Sequence, residues 1–196
     1  MFRRLFFLSF TIILAACSAR PFATPTPPLE RVDVEEQDVY AFLLQKMYRN
    51  GGYVIMATTF TNLTGIDNTA QTIDYVLQNM HGVDTKTVDS FRRRNDTTYP
   101  IRSDMDLGNP YILLTQAERN ILFSQNQSGW VNFYNHFPNA PGITMVSRVG
   151  FNAALDEALV YFGTQSNWLV GAGYYFYLKK VNSKWSIDQQ VMTWVS

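Results

Sequence analysis

Apolar residues recur at helical spacing over much of the first two thirds of the chain. In the segment 33–49, Val39, Leu43 and Met47 fall on one face, which is the pattern of an amphipathic helix. Asp33 followed by Glu36 fits a capping box at its start. The same spacing, with similar start and stop signals, predicts further helices at 69–80, 84–95, 116–123 and 128–137.

The pattern changes near residue 143. Runs rich in β-branched and aromatic residues predict strands at 143–151, 158–163, 173–181 and 184–195,. The links between them are short, and short links join antiparallel neighbours. We therefore expect an α+β domain in which N-terminal helices cover one face of a C-terminal four-stranded antiparallel meander. Short strands are also expected at 53–60 and 110–114.

The N-terminus has the three-part layout of a secretory signal peptide. Arg3 and Arg4 precede a mainly apolar run at 5–14, which is shorter than the roughly 20 residues of a spanning helix. The letters LAAC, ending at Cys17, resemble the bacterial lipobox. That resemblance implies cleavage before Cys17, a diacylglycerol on its thiol and acylation of the new amine. The alternative is an ordinary secretory signal whose cleavage region contains a cysteine.

This interpretation divides the chain into three parts. Residues 1–16 form the lipoprotein signal peptide, residues 17–32 a flexible tether rich in proline, and residues 33–196 a single α+β domain,. Lipid on Cys17 then holds the domain on the cell membrane or the outer membrane, facing outside the cytoplasm.

Composition narrows the chemistry that the chain can carry. Loss of the signal peptide removes two of the 16 basic residues, so 14 face 16 acidic ones, and no strong positive field favours nucleic acid as a partner. Cys17 is the one cysteine. With its thiol carrying lipid, the chain has no disulfide, thiol nucleophile or cysteine metal site. No motif implies a cofactor.

Four stretches of the C-terminal third resemble a family of uncharacterised bacterial exported proteins and lipoproteins. They are SRVGFN at 147–152, ALVY at 158–161, GAGYY at 171–175 and VMTWVS at 191–196. The resemblance implies export and similar hairpins, and it implies no activity, cofactor or substrate. The order of helices before a curved sheet is also similar to the cystatin-like or NTF2-like architecture, which is an analogy of fold alone.

Arg148 and Glu157 stand out because they flank the first C-terminal hairpin in a mainly apolar segment. One interpretation points Arg148 into a partly closed cavity, where it binds an anion or pairs with a carboxylate. The other makes the two residues an outward-facing cross-strand pair.

Aromatic residues crowd the last two strands and form a second candidate surface. Since alternate residues of a strand face opposite sides, helices on one face alone leave part of this set exposed, as a surface for a glycan or peptide. Packing or self-association is the alternative. The residues are Trp168, Tyr174, Tyr175, Phe176, Tyr177, Trp185 and Trp194.

The remaining candidates are weaker. His81 and His136 lie in no ligand motif, so a metal site or proton-transfer pair requires the fold to bring them together. Asp104 and Asp106 lack the further ligands of a calcium loop, which favours a solvated turn. The arginine run at 92–94 is either a phosphate or lipid headgroup contact or a solvated helix end,.

The sequence thus assigns no catalytic residue and predicts a non-enzymatic, membrane-anchored lipoprotein. It binds an envelope protein or a small ligand, with Arg148, Glu157, Trp168, Tyr175 and Tyr177 as the pocket or surface. A cavity-containing, hydrolase-like enzyme of the envelope is the alternative, and assembly through sheet-edge pairing is a third hypothesis.

Overall fold

The structure is a computed structural model of the chain. It describes residues 30–48, 52–61, 73–124 and 128–196. The predicted signal peptide, Cys17 and nearly all of the tether lie outside the described residues, as do the first four positions of the helix predicted at 69–80.

Five helices form within the described ranges, close to the expected positions. They are α1 (Arg31–Met47), α2 (Ile73–Asn79), α3 (Thr85–Arg94), α4 (Gln116–Leu122) and α5 (Gly129–His136). Local signals place two of them accurately: Asp84 accepts a hydrogen bond from the Lys86 amide at the start of α3, and Thr115 with Glu118 forms a capping box at α4. No helix in these ranges is long and apolar enough to cross a membrane.

The cap predicted for α1 is wrong. The helix begins after Glu30, whose side chain makes no capping hydrogen bond. Asp33 and Glu36 instead contact the Arg148 guanidinium group, which lies 112 or more residues away in the sequence and so leaves no local signal,.

In the part of the chain that the structure describes, seven strands form one sheet. They are β1 (Tyr53–Met56), β2 (Tyr111–Leu114), β3 (Ile143–Val146), β4 (Gly150–Phe151), β5 (Glu157–Asn167), β6 (Val170–Val181) and β7 (Lys184–Val195). The order is β2-β1-β3-β5-β6-β7, and β4 continues the line of β3 along β5. β1 is parallel to both β2 and β3, and the other pairs are antiparallel.

The α+β class is confirmed, but the four-stranded meander is wrong as a description of the sheet. β1 and β2 are separated from β3 by helices along the chain, and parallel strands joined by such crossovers leave no hairpin signal in the sequence. The predicted strand 143–151 is also interrupted. At Ser147 the side-chain oxygen accepts the Tyr161 amide at 2.8 Å, so a hydroxyl takes the place of a backbone carbonyl and the chain bends.

Helices cover both faces of the sheet, and the expectation of one covered face is therefore wrong. α1 packs Val39, Leu43 and Leu44 against alternate residues of β5 and β6. On the opposite face, α2 and α3 cover the other set of alternate residues, while α4 and α5 cover β1 and β3. Both faces are filled with side chains, and this accounts for the apolar, aromatic character of β5 and β6.

Candidate functional site

Arg148 lies at the bend between β3 and β4 and pairs with a carboxylate, as one of the two sequence-based interpretations expected. Its Nε and Nη2 atoms each lie 2.9 Å from an oxygen of Glu36 on α1. The same carboxylate accepts the Val149 amide at 2.7 Å. Glu36 is only 7% exposed, so a buried acid ties α1 to the bend.

Two further charges surround this pair. Arg94, at the end of α3, places Nη2 3.1 Å from Glu36, and Asp33 lies 3.4 Å from Arg148. Beside them is a cavity of about 190 Å³, which Tyr40 and Arg102 also line. The arginine run at 92–94 is thus divided, since Arg94 points inward and Arg92 pairs with Asp74 on α2.

The contacts of Glu36 determine what this cavity can do chemically. Oε1 of Glu36 accepts two hydrogen bonds and Oε2 contacts two guanidinium groups, which leaves Glu36 poorly placed to take a proton from a ligand. Burial alone would lower the pKa of Arg148, but hydrogen bonds and the charge of Glu36 raise it above its ordinary value. Burial raises the pKa of Tyr40 well above its ordinary value, and its hydroxyl donates to the Ser147 carbonyl at 2.7 Å. The arrangement stabilises the bend through opposite charges, and Nε and Nη2 of Arg94 are buried there without a hydrogen-bond partner among the described residues.

Glu157 is not the partner of Arg148. Its carboxylate accepts the Tyr177 hydroxyl at 2.5 Å, and that hydroxyl in turn accepts the Asp84 amide at 3.2 Å. Burial, followed by the hydrogen bond to Glu157, raises the pKa of Tyr177 above its ordinary value. The outward-facing cross-strand pair is therefore wrong. Glu157 lies on the face that α2 and α3 cover, whereas Arg148 meets α1.

The aromatic candidates separate into core and surface. Tyr175 and Tyr177 are 2% and 0% exposed and pack beneath α2 and α3, so they form no surface. Burial raises the pKa of Tyr175 above its ordinary value. Trp168, at the turn between β5 and β6, is 47% exposed. Covering both faces of the sheet buries the aromatic residues that a one-sided arrangement would have exposed.

The two histidines lie near opposite edges of the sheet. His81 follows α2 and exchanges backbone hydrogen bonds with the Gln189 side chain of β7. His136 ends α5, close to β2. Within the described ranges no group of three or more His, Cys, Asp or Glu is placed to hold a metal ion. Asp104 binds Arg102, and Asp106 accepts the Gly108 amide in a turn.

An apolar groove lies beside β2. It has a volume of about 400 Å³ and lies between β2, α4 and the end of α5. We call it the β2 groove, and its lining residues are Ile112, Leu113, Leu114, Glu118, Ile121, Leu122, His136 and Phe137. A second hollow of about 200 Å³ shares Ile112, His136 and Phe137 and extends the groove past Pro138.

The β2 groove runs along a free edge of the sheet. β2 pairs only with β1 among the described strands. The Tyr53 amide donates to Pro110 and the Ala57 amide to Leu114. In a parallel ladder with this register, the amides and carbonyls of Tyr111 and Leu113 point away from β1. Two donors and two acceptors therefore face outward at the groove.

Sequence reasoning missed this site. Ile112 and Ile121 are 51% and 71% exposed, although both sit in segments whose apolar pattern predicted ordinary packing. The local sequence gives no sign that β2 ends the sheet, because edge position depends on tertiary pairing.

No protein-family model, curated protein or solved structure matches this chain. The resemblance of its C-terminal stretches to exported lipoproteins stays a prediction.

Proposed function

We propose that the protein is a lipid-anchored lipoprotein of the bacterial cell envelope that binds an extended, mainly apolar segment of another envelope protein in the β2 groove. The observation that carries this proposal is the coincidence of an open strand edge with an apolar groove. Large apolar grooves with a few convergent polar groups are the usual form of a binding site.

An extended segment suits the edge better than a compact ligand. The outward-facing main-chain groups of Tyr111 and Leu113, which have no partner among the described residues, would pair with an added strand, as in other peptide-binding sheets. Alternate side chains of such a strand would enter the groove over Ile112 and Ile121, where apolar surface is still exposed. The segment thereby gains main-chain hydrogen bonds and apolar burial together.

The charge of Glu118 at the rim of the groove favours a bound segment that has a basic residue beside its apolar residues. Glu118 lines the groove and is exposed. Hydrogen bonds from the Thr115 side chain and backbone lower the pKa of Glu118 below its ordinary value, so it stays anionic near neutral pH. A lysine or arginine beside the apolar residues of the partner complements it.

The anchor supplies the location. Lipid on Cys17 would hold the groove outside the cytoplasm, where envelope proteins are within reach. Replacing Cys17 with Ser should move the protein from the membrane fraction to the soluble fraction. Retention of the variant in the membrane fraction contradicts the anchor and leaves the groove proposal standing.

Binding takes precedence over the hydrolase-like alternative because of Glu36. An enzyme would use the 190 Å³ cavity beside Arg148, yet its buried carboxylate is engaged by two guanidinium groups and an amide. The cystatin-like or NTF2-like architecture also stays a prediction, and the binding proposal does not depend on it.

Selection of short random peptides on the immobilised protein tests the proposal. Enriched peptides should alternate apolar with other residues and carry a basic flank. Ile112→Asp should weaken their binding roughly tenfold or more, because burying an isoleucine side chain is worth about 1.5–3 kcal/mol. Methylating the backbone nitrogens of a selected peptide should also weaken it, since methylated amides cannot donate.

Val131→Asp is the matched control, because Val131 is 61% exposed on α5 and does not line the groove. The Val131→Asp variant should bind the selected peptides with the same affinity as the unaltered protein. Peptides that bind Ile112→Asp equally well overturn the proposal. Oligomers that Ile112→Asp abolishes would identify a second copy as the occupant and likewise overturn it.

A further inference from the structure

The turn between β5 and β6 carries an apolar tip. Leu169 is 82% exposed, Val170 55% and Trp168 47%. Three consecutive large apolar side chains thus face solvent at the end of a long hairpin. Scattered exposed apolar residues are ordinary, whereas a contiguous set at a projecting turn marks an interaction surface.

The tip is held rigidly in place. The Trp168 ring packs edge-on against Phe123, with centroids 5.7 Å apart, and lies 6.4 Å from Trp130. The Tyr134 hydroxyl donates to the Ser166 carbonyl at 2.8 Å. These contacts present Leu169 outward on a fixed support, so little conformational entropy is lost when it meets a partner.

The strands that carry the tip have no charged side chains near it, and Arg119 of α4 lies over the Phe123 ring that Trp168 contacts. No Asp, Glu, Lys or Arg occurs from 158 to 178 or from 189 to 196. The second stretch lies beside the tip, because Val195 pairs with Ala172 and is itself 68% exposed. The tip amide of Trp168 is also satisfied, by the Asn167 side chain at 2.7 Å.

We propose that this tip inserts into the interfacial layer of a lipid bilayer. A bilayer penalises every charge and every unsatisfied amide, which matches the uncharged strands behind the tip and the bonded turn. The order of side chains fits as well, with aliphatic Leu169 at the extremity and the amphipathic indole of Trp168 behind it, where tryptophan favours the membrane interface. A protein partner would tolerate a charged rim, as protein interfaces usually have.

The tip lies at the opposite end of the sheet from the point where the chain enters the domain. Glu35, in the first turns of α1, binds Lys180 at 2.6 Å. Leu169 lies eleven positions before Lys180, a span of roughly 35 Å. The thirteen residues from 17 to 29 extend at most about 45 Å. The tip is thus placed for a facing bilayer or, with the chain fully extended, for the anchoring one.

A fluorescent label at the tip tests the proposal on the full lipidated chain. Leu169→Cys introduces the one reactive thiol if Cys17 carries lipid, and two labels per chain would contradict the anchor alone. An environment-sensitive dye on residue 169 should shift to the blue in phosphatidylcholine vesicles. Brominated phosphatidylcholine should quench the dye. Placing the brominated lipid in the anchoring vesicle in one experiment, and in added vesicles in another, shows which of the two bilayers the tip enters.

Val181→Cys is the matched control, since Val181 is 58% exposed beside the β6–β7 turn at the far end of the sheet. A label there should stay unquenched. Leu169→Asp should lower vesicle association of the tip roughly tenfold or more, whereas Val181→Asp and Ile112→Asp should not. Absence of quenching at residue 169 in both arrangements, or equal quenching at 181, overturns the proposal.

Discussion

Glu36 and Arg148 are 112 residues apart in the sequence and form a two-point ion pair, in which both guanidinium–carboxylate distances are 2.9 Å. The pair joins α1 to the bend between β3 and β4. Because Val149 donates its amide to the same carboxylate, this acidic side chain also satisfies a main-chain amide at the bend.

Glu36→Gln should therefore destabilise the fold by about 2–4 kcal/mol, because it leaves Arg94 and Arg148 partly buried without their shared counter-charge. Urea unfolding followed by circular dichroism measures the change. Asp33→Asn is the control. Asp33 is more exposed and lies 3.4 Å from Arg148, so its loss should cost less than about 1 kcal/mol. Equal effects of the two substitutions would show that Glu36 is not the centre of the cluster.

Stability should fall as the solution becomes strongly alkaline. Burial raises the pKa of Tyr161 from 10.0 to about 12, and it raises the pKa of Tyr175 in the same direction. Above pH 10, each such tyrosine keeps its proton in the folded state but loses it in the unfolded state. Its contribution is thus complete below pH 10 and is lost between pH 10 and about 12, at up to about 1.4 kcal/mol per pH unit.

Titration of tyrosinate absorbance alongside circular dichroism checks this expectation. The buried tyrosines should ionise together with unfolding, and Tyr161→Phe should reduce the slope of stability against pH. Ionisation of all the tyrosines near pH 10, with the fold intact, would show that they are accessible to solvent.

Gly150 is where α3 approaches β4 most closely. A Cβ at this position would lie 2.4 Å from the backbone nitrogen of Phe91, so helix and strand would have to separate. Gly150→Ala should cost about 2–3 kcal/mol. At Gly52 the nearest atom would be 3.5 Å away, and Gly52→Ala should change stability by less than about 1 kcal/mol. Comparable melting temperatures for both variants would contradict the close packing of α3.

The helices were predicted well because the signals that start or end a helix lie within a few residues of that end in the sequence. Asp84 and Thr115 cap α3 and α4 as their sequence positions indicate. The β6–β7 hairpin was equally predictable, since Asn182 and Ser183 form a two-residue turn with positive φ at both positions,. The β5–β6 turn was not, because residues 164–167 and 170–172, expected outside the strands, extend β5 and β6.

Long-range pairing was not predictable from the same patterns. Nothing near Tyr111 indicates that β2 lies parallel to β1, and nothing near Asp33 indicates that this acid serves Arg148 and not a helix cap. The β2 groove exists because β2 pairs at the edge of the sheet, which is a long-range contact. Arg148 was identified because a charge in an apolar segment is costly unless it is paired, and Glu36 was its missing partner.

Amide hydrogen exchange of β2 tests the proposed binding most directly. The Leu113 amide points away from β1, so it should exchange quickly in the free protein and slow markedly when a selected apolar peptide is bound. The Ile112 and Leu114 amides, already bonded to β1, should change little. An unchanged Leu113 rate at saturating peptide would contradict strand addition at this edge.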